Sequence, residues 1–314
     1  MRPLILTIVA LLAATLPLGL AAATPPAPRV FHDASADGTL FPPRDPTSTT
    51  EQVVIGSDER SQIAETSVFP FSAIAYLELE DASGEVFGSC TATFIGPDAL
   101  LTAGHCLWDA VSGDWGAHHI RVVPGKDSGF EPFGSQYAED WWVPDSYAET
   151  GMTDWDWGII NLANDVLTLD TGWLSVSILD SESLESPGFL PTIVGYPGDK
   201  PEATMWGHIQ AAFTFIADFQ LFYDIDTAPG QSGSAIWSAA DGPFLGLIVG
   251  IHTTGGDLNS GQRIDQELLD DLLTGCSAMG CTISVYELVP PEPEPHGGPS
   301  TLPFRSYGVA VARD

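Results

Sequence analysis

Between Ser72 and Ile251 the chain is cut into short apolar runs fenced by turn-forming residues. The runs are Ser72–Glu80, Thr91–Ile95, Leu100–Thr102, Ile120–Val123, Gly158–Leu162, Thr192–Tyr196, Phe213–Ile216, Gln220–Ile225, Ala235–Trp237 and Phe244–Ile251. Over the second half of the first, Ala75, Leu77 and Leu79 alternate with Tyr76, Glu78 and Glu80, the period of a strand with one buried face. The 32 glycines and 25 prolines supply turns between the runs. Many short strands at this spacing fold as sandwiches or barrels, so an all-β chain is expected.

One helix is expected near the end. Ile264, Leu268, Leu269, Leu272 and Leu273 share a face, with Asp265 at its start and Gly275 just past its end. Residues 289–314 then read as a Pro-rich, extended, mobile tail. At the other terminus Arg2 precedes the apolar run Leu4–Leu20, which Pro17 and Gly19 interrupt, and Ala21-Ala22-Ala23 offers a cleavage site. Residues 1–23 therefore read as a secretory signal peptide. Residues 24–52 carry Pro, Thr, Ser and Asp without a periodic apolar pattern and read as a removable pro-segment. No later stretch holds 18 uninterrupted apolar residues, so the mature product is expected to be secreted, extracellular and soluble.

Hydrophobic residues at 44% against 17% charged suit a folded core. The net charge of −32 repels phosphate backbones and anionic bilayers, so neither nucleic acid nor membrane is an expected partner. Solubility alone or a salty milieu would both account for it. After export the four cysteines can pair, in three ways. Cys276 and Cys281 are close in sequence, which leaves Cys90 with Cys106. A loop of about 15 residues contributes roughly 3 kcal/mol in the chain-entropy model. Metal binding is the rival reading, although neither pair has zinc-finger spacing.

Three local patterns together supply what peptide hydrolysis needs: a base, an orienting acid and an activated nucleophile. In Leu101-Thr102-Ala103-Gly104-His105-Cys106 a small-residue turn after a strand carries a histidine that the next cysteine can anchor. In Asp154-Trp155-Asp156-Trp157-Gly158 the acid nearest the strand, Asp156, can be buried and turned toward an imidazole; Asp154 is the rival. In Gly230-Gln231-Ser232-Gly233-Ser234 glycines on both sides let the backbone turn around a hydroxyl. The amides of Gly230 and Ser232 can then meet a developing oxyanion. Ser234 is the rival nucleophile, without a glycine two residues before it.

The chain order His105, Asp156, Ser232 is that of chymotrypsin-like serine proteases. TAGHC, the DWGII strand and GQSGS resemble that family, which implies two six-stranded antiparallel β-barrels, meeting around residues 165–185, with the site between them. A protease domain over residues 53–288 follows. Within the family the chain resembles the glutamyl endopeptidases, in Gly195-Tyr196-Pro197-Gly198-Asp199-Lys200-Pro201, Ala203-Thr204-Met205-Trp206, Tyr223-Asp224, Gly250-Ile251-His252 and the opening VVIGSDERSQI. The likeness spans roughly residues 53–275.

That resemblance implies cleavage after glutamate, with aspartate second, and places the carboxylate contacts at Thr227 and His252. A hydroxyl and an imidazole can both donate to a carboxylate. It also implies that the mature N-terminal amine, at Val53, helps bind the substrate. Asp226 supports an alternative, since a trypsin-like enzyme uses an acid six residues before its nucleophile to receive Arg or Lys. An inactive homologue that only binds partners is a further alternative. Gln231 is uncharged, so the usual pairing of a freed amine with an aspartate before the nucleophile is not expected. No cofactor or metal is expected: HExxH and EF-hand spacings are missing, and His118-His119 would point to opposite faces of a strand. The expected product is a monomer acting on protein or peptide substrates.

Overall fold

The computed structural model describes residues 53–287 together with the backbone of residues 30–32. The expected signal peptide, most of the expected pro-segment and the Pro-rich tail lie outside the described residues. The chain is mostly β, with few and mainly short helices.

The first sheet is built from β1 (Ile74–Glu80), β2 (Val86–Phe94), β3 (Ala99–Thr102), β4 (His119–Pro124), β5 (Gln136–Trp142) and β6 (Gly158–Leu162). Antiparallel pairing runs β4-β1-β2-β3-β6-β5 and returns from β5 to β4, so six strands close into a barrel. The alternation read in β1 is realised: Ala75, Leu77 and Leu79 enter the barrel core with Phe94, Leu100 and Trp141. Val30–His32, not anticipated as a strand, adds to the edge of β5 with Val30 opposite Trp142.

Residues 163–190 carry the chain to the second sheet. It contains β7 (Pro191–Gly195), β8 (Trp206–Ile209), β9 (Gln220–Tyr223), β10 (Ala235–Ser238), β11 (Leu247–Thr254) and β12 (Asn259–Arg263). The order is Phe215–Ile216, β9, β12, β11, β10, β7, β8, Ser61–Gln62, an open path that makes a half-barrel. Its own core includes Phe189, Ile193, Tyr223, Ile236 and Val249. A third cluster, including Trp142, Ile159, Tyr196, Ile251, Leu268 and Leu272, fills the space between the sheets. Burying these faces is the main force holding the two sheets in register.

Three of the numbered strands had no counterpart among the apolar runs: β5, β8 and β12. β5 hides a buried acid, Asp140, within the run Gln-Tyr-Ala-Glu-Asp-Trp-Trp. β12 reads Asn-Ser-Gly-Gln-Arg, yet Asn259, Ser260 and Gln262 are buried. The run at Phe213 shortens to Phe215–Ile216, and that at Phe244 begins as a strand only at Leu247.

The helix spans Gln266–Met279, and Asp265 caps it by accepting the Leu268 N–H at 2.9 Å. It does not stop at Gly275, as its sequence suggested. It ends at Gly280, which takes the left-handed conformation at φ 79°. Gly275 serves packing instead: a Cβ there would lie 2.5 Å from the Trp142 ring.

Candidate active site

His105 lies in a short 3-10 turn, Gly104–Cys106, directly after β3. Asp156 ends another such turn just before β6, the strand paired with β3. That pairing brings the acid to the histidine. Asp156 accepts the His105 backbone N–H on Oδ1 at 2.8 Å and sits 2.7 Å from His105 Nδ1 through Oδ2. The carboxylate side chain is 5% exposed and the imidazole 35%, so the acid is fixed and the ring reaches solvent. Gly104 permits the approach, because a Cβ would stand 3.0 Å from the Trp157 carbonyl and 3.1 Å from Asp156 Oδ1. The rival Asp154 is exposed and accepts from Gln220 Nε2 at 3.2 Å.

Ser232 arrives from the second sheet, in the turn before β10. Its carbonyl accepts the Thr91 N–H at 2.9 Å and lies 3.8 Å from Cys106 Sγ. The Cys90–Cys106 disulfide joins the residue before Thr91 to the residue after His105. One covalent brace thus steadies the histidine turn and the strand that holds the serine turn. The second disulfide joins Cys276 to Cys281 at the end of the helix.

Glycine is required on both sides of Ser232. Gly233 has φ +85°, and a Cβ would lie 2.9 Å from Ala103 N and overlap the Thr91 carbonyl. Gly230 has φ +98°, with the Tyr196 carbonyl 2.5 Å from where its Cβ would be. The Pro229 carbonyl accepts the Gly198 N–H at 2.7 Å, and the Gln231 carbonyl accepts the Ser234 N–H at 3.0 Å. In a trans peptide the N–H points opposite to the C=O. These two anchors therefore turn the Gly230 and Ser232 amides away from the 196–200 loop and from Ser234, respectively. Ser234 itself is 0% exposed with an unpartnered hydroxyl, a poor position for a nucleophile.

The specificity candidates cluster behind this turn. The His252 backbone pairs with Gly233 and Ser234, both at 2.8 Å. The His252 ring is fully buried, its Nδ1 lies 2.6 Å from the Tyr223 hydroxyl, and its Nε2 has no partner. Burial first, and the nearby His105 second, push its pKa down to about 3. Thr227 is also fully buried, and its Oγ1 has no partner. The Thr227 N–H donates to the Val53 carbonyl at 3.3 Å.

Asp226 does not offer its carboxylate to a ligand. It is 1% exposed, Oδ1 accepts the Ile55 N–H at 2.8 Å, and Oδ2 accepts the Glu59 N–H at 2.7 Å. Its own N–H donates to His208 Nδ1 at 2.9 Å.

Two partners were not found from sequence. Asn259 receives the Val53 N–H on Oδ1 at 3.1 Å and donates from Nδ2 to the Val53 carbonyl at 2.6 Å. Arg60, whose side chain is 0% exposed, bonds Asp58 and Asp199 and reaches Gln231 Oε1 at 3.4 Å. Both contacts span more than a hundred residues, beyond any local pattern. Two signals pointed toward Arg60 without naming its partners: its place in the opening VVIGSDERSQI and the scarcity of cations, 10 basic against 42 acidic residues.

Two cavities of about 200 and 590 Å³ lie elsewhere. The smaller touches Asp154, Trp155 and Trp157 but not Asp156.

The trypsin family profile, "Trypsin", matches residues 64–266. The chain is similar to the glutamyl endopeptidase of Bacillus licheniformis, 33% identical over 229 residues, covering 70% of this chain and 67% of the relative. It is 30% identical over 223 residues to the extracellular metalloprotease of Bacillus subtilis, covering 70% and 68%. A solved structure of a Glu endopeptidase in complex with MPD superposes with a TM-score of 0.61 at 30% identity, covering 70% of this chain and 98% of that one. The metal implied by the Bacillus subtilis relative's name finds no fitting ligand set among the described residues. Among the described residues the one group close enough is Cys90, His105 and Cys106, and both sulfurs are already bonded to each other.

Proposed function

The chain belongs to the trypsin family of serine endopeptidases, and on that premise we propose that it cuts peptide bonds after glutamate through an acyl-enzyme on Ser232. His105 takes the Ser232 proton as the hydroxyl attacks the carbonyl, and later returns a proton to the leaving amine. Asp156 holds the imidazole tautomer and stabilises the imidazolium. The Gly230 and Ser232 amides meet the oxyanion. The open second sheet is read as the second barrel of the pair that the resemblance implies.

The observation that carries glutamate recognition is the pair of buried, unpartnered polar atoms, Thr227 Oγ1 and His252 Nε2. A buried donor without a partner costs free energy, and a substrate carboxylate would satisfy both. The occupied oxygens of Asp226 count against Arg or Lys specificity. Removal of residues 24–52 would place the α-amine at Val53, beside Asn259 and the Thr227 backbone, where its charge complements glutamate. Residues 1–23 serve export, the tail follows residue 288, and the mature enzyme acts outside the cell as a monomer on protein or peptide substrates, without nucleic acid or membrane partners. No described helix is long and apolar enough to cross a membrane.

The test is active-site titration with a serine-directed reagent, combined with kcat/KM on matched glutamyl, glutaminyl and arginyl peptides. Stoichiometric labelling at Ser232 with glutamyl peptides preferred supports the reading. An unlabelled serine supports a binding protein instead, and preference for arginyl peptides supports Asp226 as the selector.

A further inference from the structure

We infer that Arg60 is a positioning residue for the oxyanion hole, acting from the N-terminal segment through Asp199 and Gln231. This rests on the serine-endopeptidase reading above and adds to it the group that holds the hole in shape.

The Gly230 amide can face an oxyanion only while the Pro229 carbonyl stays on the Gly198 N–H, 2.7 Å away. Two loops make that bond, and Arg60 spans both. On one side its Nη1 and Nη2 bind the two Asp199 oxygens at 2.9 and 2.5 Å, next to Gly198. On the other, Nη1 reaches Gln231 Oε1 at 3.4 Å, and that oxygen also accepts the Ala228 N–H at 3.1 Å. Gln231 is 0% exposed and directly precedes Ser232. Asp58 completes the guanidinium's shell at 3.0 Å through both oxygens. Burial opposes the Arg60 charge, but hydrogen bonds to Asp58 and Asp199 outweigh it and raise its pKa.

Nothing in this brace needs a free amine. An internal cation takes the place next to the nucleophile that an uncharged Gln231 could not offer to a new N-terminus. Shaping of the hole and charging of the specificity pocket are therefore separate functions of one segment: Arg60 serves the first, and Val53 the second.

The experiment measures acylation and steady-state kinetics of the processed enzyme, with Arg60→Ala and Gln231→Met, on whichever peptide ester the wild type cleaves. Losing an oxyanion donor costs about 10²–10³ in kcat, so loosening it should cost on the order of tenfold or more, with KM little changed. Added guanidinium should restore kcat in Arg60→Ala but not in Gln231→Met. Asp58 and Asp199 remain partly exposed, which lets the small cation in. Gln231→Met keeps every Arg60 ion pair, so it separates the brace from folding. Wild-type kcat in either variant would overturn the inference. So would a loss in Arg60→Ala that follows its melting temperature and does not respond to guanidinium. If the wild type cleaves esters but shows no glutamyl preference, the specificity reading fails while this test still stands.

Discussion

The Tyr223 hydroxyl lies 2.6 Å from Nδ1 of His252, in a site where both side chains are fully buried. Burial raises the phenol's pKa well above its ordinary value and lowers that of the imidazole to about 3. The phenol keeps its proton, and we assign it as the donor to Nδ1, its hydrogen-bond partner, which leaves the ring's own proton on Nε2. His252 is thus a neutral donor held in one tautomer. Losing a donor to a buried charged group costs about 1.5–3 kcal/mol. His252→Ala should then lower the glutamyl-to-glutaminyl ratio of kcat/KM by about 10–100-fold. Tyr223→Phe should lower it in the same direction, because Nδ1 then competes for the proton.

The same histidine predicts a pH dependence of stability. Its folded pKa lies below the unfolded value of 6.5, so the unfolded chain takes up the proton first. Its contribution is complete above pH 6.5 and is lost as pH falls toward 3. Melting temperatures of wild type and His252→Gln should converge across that window on acidification.

Asp226 should prove structural. Asp226→Asn removes one of two oxygens that hold the Ile55 and Glu59 amides. A loss of about 1.5–3 kcal/mol in urea unfolding is expected, with no change in the relative rates on arginyl and glutamyl peptides. A large shift in those rates would return Asp226 to the pocket.

Asp271 on the C-terminal helix carries a surplus charge. Burial first, then Glu267, Asp270, Asp145 and Asp265, raise its pKa to about 6. A raised carboxylate favours folding below the unfolded value of 3.8, and the advantage is lost as pH rises through 6. Asp271→Asn should raise stability at pH 8 by on the order of 1 kcal/mol after allowance for solvent screening, and by nothing at pH 3. Added salt should shrink the difference.

How far the sequence could be read follows from the range of each interaction. The β1 alternation and the glycines flanking Ser232 are local, and so were legible. His105 and Asp156 are 51 residues apart, and only their flanking patterns suggested that they meet. Asn259 and Arg60 were not legible: Asn259 pairs with Val53 206 residues away, and Arg60, although it lies in the quoted opening VVIGSDERSQI, reaches Asp199 and Gln231 139 and 171 residues on. β12 was missed because its buried polar residues find partners far along the chain: Asn259 bonds Val53 and Ile225, and Gln262 donates to the Thr153 carbonyl. Gly275 misled because a glycine near a helix end usually stops it, whereas here Trp142 leaves no room for a side chain.

Ser232→Ala should leave a folded protein with only the residual rate of binding and the oxyanion hole, about 10³–10⁴ over water. Ser234 cannot substitute, since it is buried against Gly195. Near-normal hydrolysis by that variant would remove Ser232 from the mechanism.

Digestion of a denatured protein mixture with the processed enzyme, reading the residue before every cut, tests the central claim most directly. Glutamate should precede the great majority of cuts, aspartate a minority, and the Ser232→Ala enzyme should produce none of them. Cuts that follow Arg or Lys, or that show no preference for an acidic residue, would contradict the account.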